Sequence, residues 1–302
     1  MKNLTVALDW TPNTNHIGFF IAREKGFYKK EDLNVTIIDP SKDNYLETPA
    51  KKIELGKVDI ALCPLESVIS YRTKSKPFDL WAIATIFQED ISAIVTRNNE
   101  VIKSPRDLDG KIYASYKARY EDEIVRSMIK NDGGTGNIDI KYPEKLGIWD
   151  TILEGTSDAT WIFLNWEAQH EDIPQGSVSY FQMKDYDIPY SYSPVIAASQ
   201  QRVLDQGETY KKFLAATKKG YLFAQDQPLE AASILQKVIP EKDQSINLIK
   251  SIQTSIPYFG YDQWGQMEPD KIKLFLDWLV AHNLENNNLS SDLLFTNDYL
   301  KK

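Results

Sequence analysis

The sequence predicts an α/β fold made of two α/β domains, the first interrupted by the second. Three observations carry this. Short β-branched apolar runs alternate with helix-period segments through most of the first two hundred residues. A nine-residue pattern recurs about a hundred residues after its first appearance. Beyond residue 200 the alternation gives way to successive amphipathic helices.

Residues 4–9 alternate apolar and polar positions and read as a strand; 11–15 form a turn cluster. A helix follows at 17–25, with Ile17, Phe20 and Ile21 on one side and Gly26 as its stop. A strand at 33–38, a helix at 50–55 ended by Gly56, a strand at 58–62, a helix from about 66 and strands at 81–87 and 91–96 come next, in a mainly parallel sheet. A second unit takes shape from 104–110. It has a strand at 111–115, a helix at 121–130, a Gly-rich loop at 132–136 and a strand at 138–142. A helix at 149–154 ended by Gly155, a strand at 159–163 and a helix opening at 165–170 complete it. A strand at 193–198 precedes helices at 210–225, 229–238, 245–255 and 271–282. Phe213, Thr217, Tyr221 and Ala224 share one face of the first, and Ile272, Phe275, Leu276, Leu279 and Val280 stripe the last.

The recurring pattern joins 54–62 to 153–161. In each copy a helix ends at Gly (Gly56, Gly155), Asp follows three residues later (Asp59, Asp158), and a buried strand begins. Two similar domains built by one recipe are expected. The helical tail is assigned to the first, giving domain one as 1–90 with 193–302 and domain two as 91–192. Crossings near 88–93 and 189–194 form the hinge.

Composition removes several functions. With 302 residues the chain suits two domains. A net charge of −8 and short, mixed basic runs leave no cationic face for nucleic acid. The lone Cys63 excludes an internal disulfide and a cysteine-built metal site, and His16, His170 and His282 lie far apart, so no metal or cofactor is expected. No apolar run approaches the ~20 residues of a membrane span. The first ten residues read as a strand rather than a signal peptide, so the chain as written carries no export address.

Ligands of parallel α/β sheets sit beyond the carboxyl ends of the strands. Those positions supply Asp9, Trp10, Asn13 and His16; Cys63 and Glu66; Tyr116; Trp166 and Glu167; Tyr190 and Tyr192. There is no nucleophile elbow, and the Gly-rich loop lies between a helix and a strand, where no phosphate loop belongs. Rings and carboxylates together suit a flat, polar, nitrogen-rich molecule. Each has an ordinary alternative. Asn13 and Glu66 fit helix caps, His16 a structural hydrogen bond, Trp10 and Trp161 a core, and Cys63 a small buried apolar group.

Residues 8–16 (Leu-Asp-Trp-Thr-Pro-Asn-Thr-Asn-His) resemble the opening motif of thiamine-precursor substrate-binding proteins, of the type II periplasmic-binding-protein class. Residues 161–166 (Trp-Ile-Phe-Leu-Asn-Trp) are similar to those of the formylaminopyrimidine binders. Segments 22–28, 104–111, 192–196 and 215–232 match the wider class, so the resemblance covers nearly the whole chain. It implies two domains with a ligand cleft between them that close on one aminopyrimidine, a monomer, and an ABC importer as partner. A fungal-type synthase that makes the thiamine pyrimidine phosphate from pyridoxal phosphate belongs to the same superfamily. Where that family carries Lys and a reacting His, Cys63 and Glu66 stand here, and its Cys-rich iron motif is missing, although His16 is retained. An enzyme of pyrimidine synthesis using other chemistry, and a cytoplasmic pyrimidine binder or sensor, are the alternatives.

Overall fold

A computed structural model describes residues 1–99, 101–143, 147–190, 192–286 and 289–300. The chain divides into two compact units, Met1–Asp90 with Ser191–Lys302, and Ile91–Tyr190. Of the second expected crossing, residue 191 lies outside the described residues.

Unit 1 begins with β1 (Lys2–Ala7), α1 (Ile17–Glu24), α2 (Phe27–Lys30), β2 (Leu33–Ile38), α3 (Pro49–Glu54), β3 (Ile60–Cys63), α4 (Leu65–Thr73) and β4 (Leu80–Thr85). Unit 2 holds β5 (Ser92–Arg97), β6 (Ile112–Ala114), α5 (Glu121–Asn131), β7 (Asp139–Lys141), α6 (Ile148–Leu153), β8 (Ala159–Phe163) and β9 (Val178–Phe181). The chain then returns to unit 1 as β10 (Val195–Ser199), α7 (Gln200–Asp205), α8 (Gly207–Asp226), α9 (Pro228–Gln236), α10 (Leu248–Phe259) and α11 (Pro269–Ala281). No helix of the described residues is long and apolar enough to cross a membrane.

Among the described residues each unit has one five-stranded sheet, ordered β2-β1-β3-β10-β4 and β7-β6-β8-β5-β9. The expectation of mainly parallel sheets is corrected. β1 lies parallel to β2 and β3, and β6 to β7 and β8, but β10 is antiparallel to β3 and β4, and β5 to β8 and β9. A parallel neighbour needs a crossover helix to bring the chain back. β5 and β10 enter their sheets from the other unit with no such helix before them, and they run against their neighbours.

The repeated pattern proves to be one structural device used twice. Gly56 and Gly155 take left-handed backbone, φ 70° and 77°, at the helix ends. Asp59 then accepts the Thr5 amide at 2.8 Å and the Thr5 hydroxyl at 2.9 Å, and returns its own N–H to the Thr5 carbonyl. Asp158 does the same for Ile112, with its carboxylate at 2.9 Å and its N–H at 2.8 Å from the carbonyl. Each Asp therefore fixes the register between two parallel neighbours, β1 and β3 in one sheet and β6 and β8 in the other.

The helical tail buries its predicted face: Phe213, Thr217, Tyr221 and Ala224 are fully enclosed. α8 crosses α1 at Gly220, where a Cβ would stand 2.0 Å from the Gly18 carbonyl oxygen, and a Cβ on Gly18 would meet the Tyr221 ring at 2.2 Å. Only glycine permits backbones to approach so closely. Tyr28 stacks on Phe213 at 5.5 Å and donates to or accepts from Thr217 at 2.8 Å.

Three local readings change. The helix expected from 165 is a three-residue 3-10 turn, Glu167–Gln169. Glu167 and Gln169 bond back to the Phe163 amide and the Leu164 carbonyl, which competes with helix growth. β9 escaped notice because it is an edge strand, paired with β5 alone, with Tyr180 exposed. α7 is a six-residue helix that the sequence pattern did not separate from its surroundings.

Asp59→Ala should destabilise unit 1 by about 1.5–3 kcal/mol, the range for hydrogen bonds to charged groups, since it also strips Arg202 of a partner at 2.8 Å; urea unfolding measures this. Asp109 offers a pH test. It accepts the Thr135 amide, the Thr135 hydroxyl and the Asn137 amide, at 2.5, 2.9 and 2.8 Å. The Thr135 amide leads in holding its pKa below the usual carboxylate value. A depressed folded pKa stabilises above the ordinary value, about 3.9, and loses that contribution as pH falls through the folded value. Exchange protection of the Thr135 and Asn137 amides should therefore drop in acid below about pH 4.

Candidate functional site

In unit 1 the site builds on the shared edge of β1 and β3. Ala7 pairs with Ala61, so the register carries Asp9, two residues past the end of β1, toward Cys63, the last residue of β3. Glu66 sits in the first turn of α4, 6% exposed. Burial, and then the carboxylates of Asp9 and Glu66, push the Cys63 thiol far up.

Asp9 is held by His16, whose Nε2 lies 2.7 Å from its Oδ1. His16 is fully buried, and its Nδ1 accepts the Asn13 amide at 3.3 Å. An Nδ1 that accepts leaves the ring proton on Nε2, so the imidazole donates to Asp9. Asn13 in turn caps the turn Thr14–His16, its side chain accepting from Asn15 N–H at 2.8 Å. Asn13 and His16 thus take the structural roles the sequence left open, and Asp9 emerges as the group they aim.

Trp10 is half-buried. Its ring lies 5.5 Å from that of Tyr45, and the Lys242 ammonium stands 5.8 Å over it. Sequence reasoning missed both partners. Tyr45 comes from a loop in which Asn44 and Tyr45 have positive φ, and Lys242 from a turn two hundred residues away. Only the Asp-Asn turn signal before Tyr45 was visible beforehand. Tyr192 is 2% exposed, its hydroxyl accepts from Glu268 N–H at 2.8 Å, and burial pushes its pKa up to about 12. Its carbonyl accepts from Leu65 N–H at 3.0 Å, beside Glu66 at the start of α4.

Unit 2 gathers a second group. The turn after β6 carries Tyr116, and Glu121 Oε1 accepts the Tyr116 amide at 3.0 Å and the Tyr113 hydroxyl at 2.8 Å. Tyr116 exposes 38% of its surface while its hydroxyl end is enclosed; that burial, with Glu167 and Glu121 nearby, raises its pKa well above the ordinary value. Glu167 folds back to accept Phe163 N–H at 2.8 Å. Trp166 is 2% exposed and packs as core. Tyr190 meets Trp161 edge-on at 5.2 Å. Trp161 is itself only half-buried, although its place in the strand had read as core. Among the described residues no group of three His, Cys, Asp or Glu is arranged to hold a metal ion.

The family model described as "NMT1/THI5 like" matches residues 13–231. The formylaminopyrimidine-binding protein of Halalkalibacterium halodurans is 25% identical, over 94% of this chain and 86% of that protein. The 4-amino-5-hydroxymethyl-2-methylpyrimidine phosphate synthase of Legionella pneumophila is 22% identical, over 86% of this chain and 80% of that one. A Candida albicans protein described as having the generic periplasmic binding protein structural fold superposes with a TM-score of 0.71 at 13% identity, over 100% of this chain and 98% of that chain. The fold of this chain is that fold.

Cys63 gives a direct check on how β3 is enclosed. A thiol shut away from solvent stays protonated and unreactive. The native protein should resist a thiol reagent at pH 8 and take up one equivalent only when unfolded in urea; rapid native labelling would contradict that burial.

Proposed function

The chain belongs to the NMT1/THI5-like family, and from that premise we propose that it binds a small, flat aminopyrimidine thiamine precursor, of the formylaminopyrimidine or hydroxymethylpyrimidine kind, for uptake or salvage through an ABC importer. The observation that carries this reading is the carboxyl end of the paired strands β1 and β3, where Asp9, held by His16 at 2.7 Å, its neighbour Trp10, and Glu66 in the first turn of α4 follow the strands. A ring supplies a stacking face, contributing about 0.5–1.5 kcal/mol beyond burial. Carboxylates accept from exocyclic amino groups in charge-assisted bonds about twice the neutral strength.

On this reading Asp9, Trp10 and Glu66 touch the ligand. His16 and Asn13 hold Asp9 in place. Tyr116, Glu167 and Tyr190 supply the contribution of unit 2. Trp166 and Tyr192, each 2% exposed, have almost no surface to offer and serve as supports.

The match to a Legionella synthase over 86% of this chain favours a second reading, as an enzyme of pyrimidine synthesis. The Cys-rich motif expected of that chemistry has no counterpart in a chain with one cysteine. Incubation with pyridoxal phosphate and iron should yield no pyrimidine and no mass loss at His16. Product would overturn the binding reading.

Isothermal titration with formylaminopyrimidine should show one site per chain. Glu66→Gln should weaken that binding by about 1.5–3 kcal/mol with an unchanged circular dichroism spectrum. Unchanged affinity would make Glu66 a helix-start residue alone and displace the ligand from this edge.

A further inference from the structure

The turn after β6 has the main-chain shape of an anion site. Lys117 takes a left-handed conformation, φ 64°, between Tyr116 and Ala118. Amides brought together in such a turn form a concavity that binds negative groups. This one lies at a strand's carboxyl end, directly before the eleven-residue α5, whose N-terminus adds a positive dipole end. The concavity is already filled. Glu121 receives the Tyr116 amide on Oε1 and the Ala118 amide on Oε2, both at 3.0 Å, with the Tyr113 hydroxyl as a third donor. Glu121 is 3% exposed. Burial holds its pKa above the ordinary carboxylate value, against the opposing pull of these donors.

The same substitution of an internal carboxylate for an external anion recurs. The Phe163 amide at the end of β8 goes to Glu167. Asp122 and Glu123 follow Glu121 in the first turn of α5, and Glu66 occupies the first turn of α4. The two cations beside the Glu121 turn lie over ring faces, Lys117 over Tyr142 at 5.6 Å and Arg119 over Tyr120 at 5.3 Å.

We propose that these internal carboxylates, Glu121 foremost, make the protein select an uncharged or cationic, hydrogen-bond-donating ligand and refuse phosphorylated or sulfonated ones. The inference rests on the binding reading above in taking the strand-end loops as the ligand site. It adds the ligand's charge and makes Glu121 a specificity-determining residue. An incoming phosphate finds the amides that would hold it taken and meets like charge instead. Two unit charges about 6 Å apart in a protein-like dielectric alter binding by roughly 100-fold.

The test compares hydroxymethylpyrimidine with its phosphate ester by titration on the intact chain. Thermal shift with inorganic phosphate, sulfate and an alkanesulfonate runs alongside. The alcohol should bind, the ester should be weaker by roughly 100-fold, and no anion should raise Tm. An ester bound within tenfold of the alcohol, or a stabilising anion, overturns the proposal. Silence of both pyrimidines would sink the pyrimidine reading alone. The anion panel would then decide the charge inference, with any stabilising anion against it and none in its favour. Glu121→Ala, which empties the concavity, should gain a phosphate-dependent rise in Tm that the native chain lacks. Should it not fold, Glu121→Gln keeps the side-chain shape without the charge and should narrow the alcohol-to-ester ratio about tenfold. A ratio unchanged in that variant removes Glu121 from the explanation.

Discussion

A backbone N–H shut away from water costs about 1–3 kcal/mol when it finds no acceptor, and at the loop ends of this protein the acceptor is repeatedly a side-chain carboxylate. Asp59 and Asp158 take the amides of Thr5 and Ile112 at equivalent places in the two sheets. Glu121 gathers the turn after β6, and Glu167 the end of β8. Each bond ties a loop to a neighbouring strand or helix. The surplus of acidic residues, 43 against 35 Lys and Arg, thus includes groups used inside the fold.

A second set of contacts fixes the loop that carries Asp9 and Trp10. Tyr221 of α8 donates to the Asn15 carbonyl at 2.5 Å, and its ring meets Phe19, Phe259 and Trp264 at 5.0–6.0 Å. The close crossing at Gly18 and Gly220 sets the depth at which that ring enters. The tail therefore seats the turn whose Asn13 and His16 aim Asp9. The high aromatic content, 12% of residues, divides between this packing role and the rings at strand ends.

A fold of this class hosts binders and enzymes alike, so function rests on what the strand-end loops present. Here they present the carboxylates of Asp9 and Glu66, the Trp10 ring and a buried Cys63 thiol. On the proposed reading such a set suits a donor-rich heterocycle. Both nitrogens of His16 are engaged, Nδ1 with the Asn13 amide and Nε2 with Asp9, and it holds Asp9 in place.

By itself the sequence determined the α/β class, most element positions, the repeated Gly–Asp pattern and the buried face of α8, because periodicity, turn residues and helix stops act over a few neighbouring residues. It also placed Asp9, Trp10 and Glu66 at strand ends, since that follows from element order. Sheet direction was decided only in three dimensions. Whether β5 and β10 run with or against their neighbours depends on partners up to 138 residues away. The partners of Trp10 and the engagement of His16 with Asp9 were likewise settled by packing. So was the filling of the turn at Lys117 by Glu121, because a hydrogen bond needs a distance and a direction, and sequence spacing supplies neither.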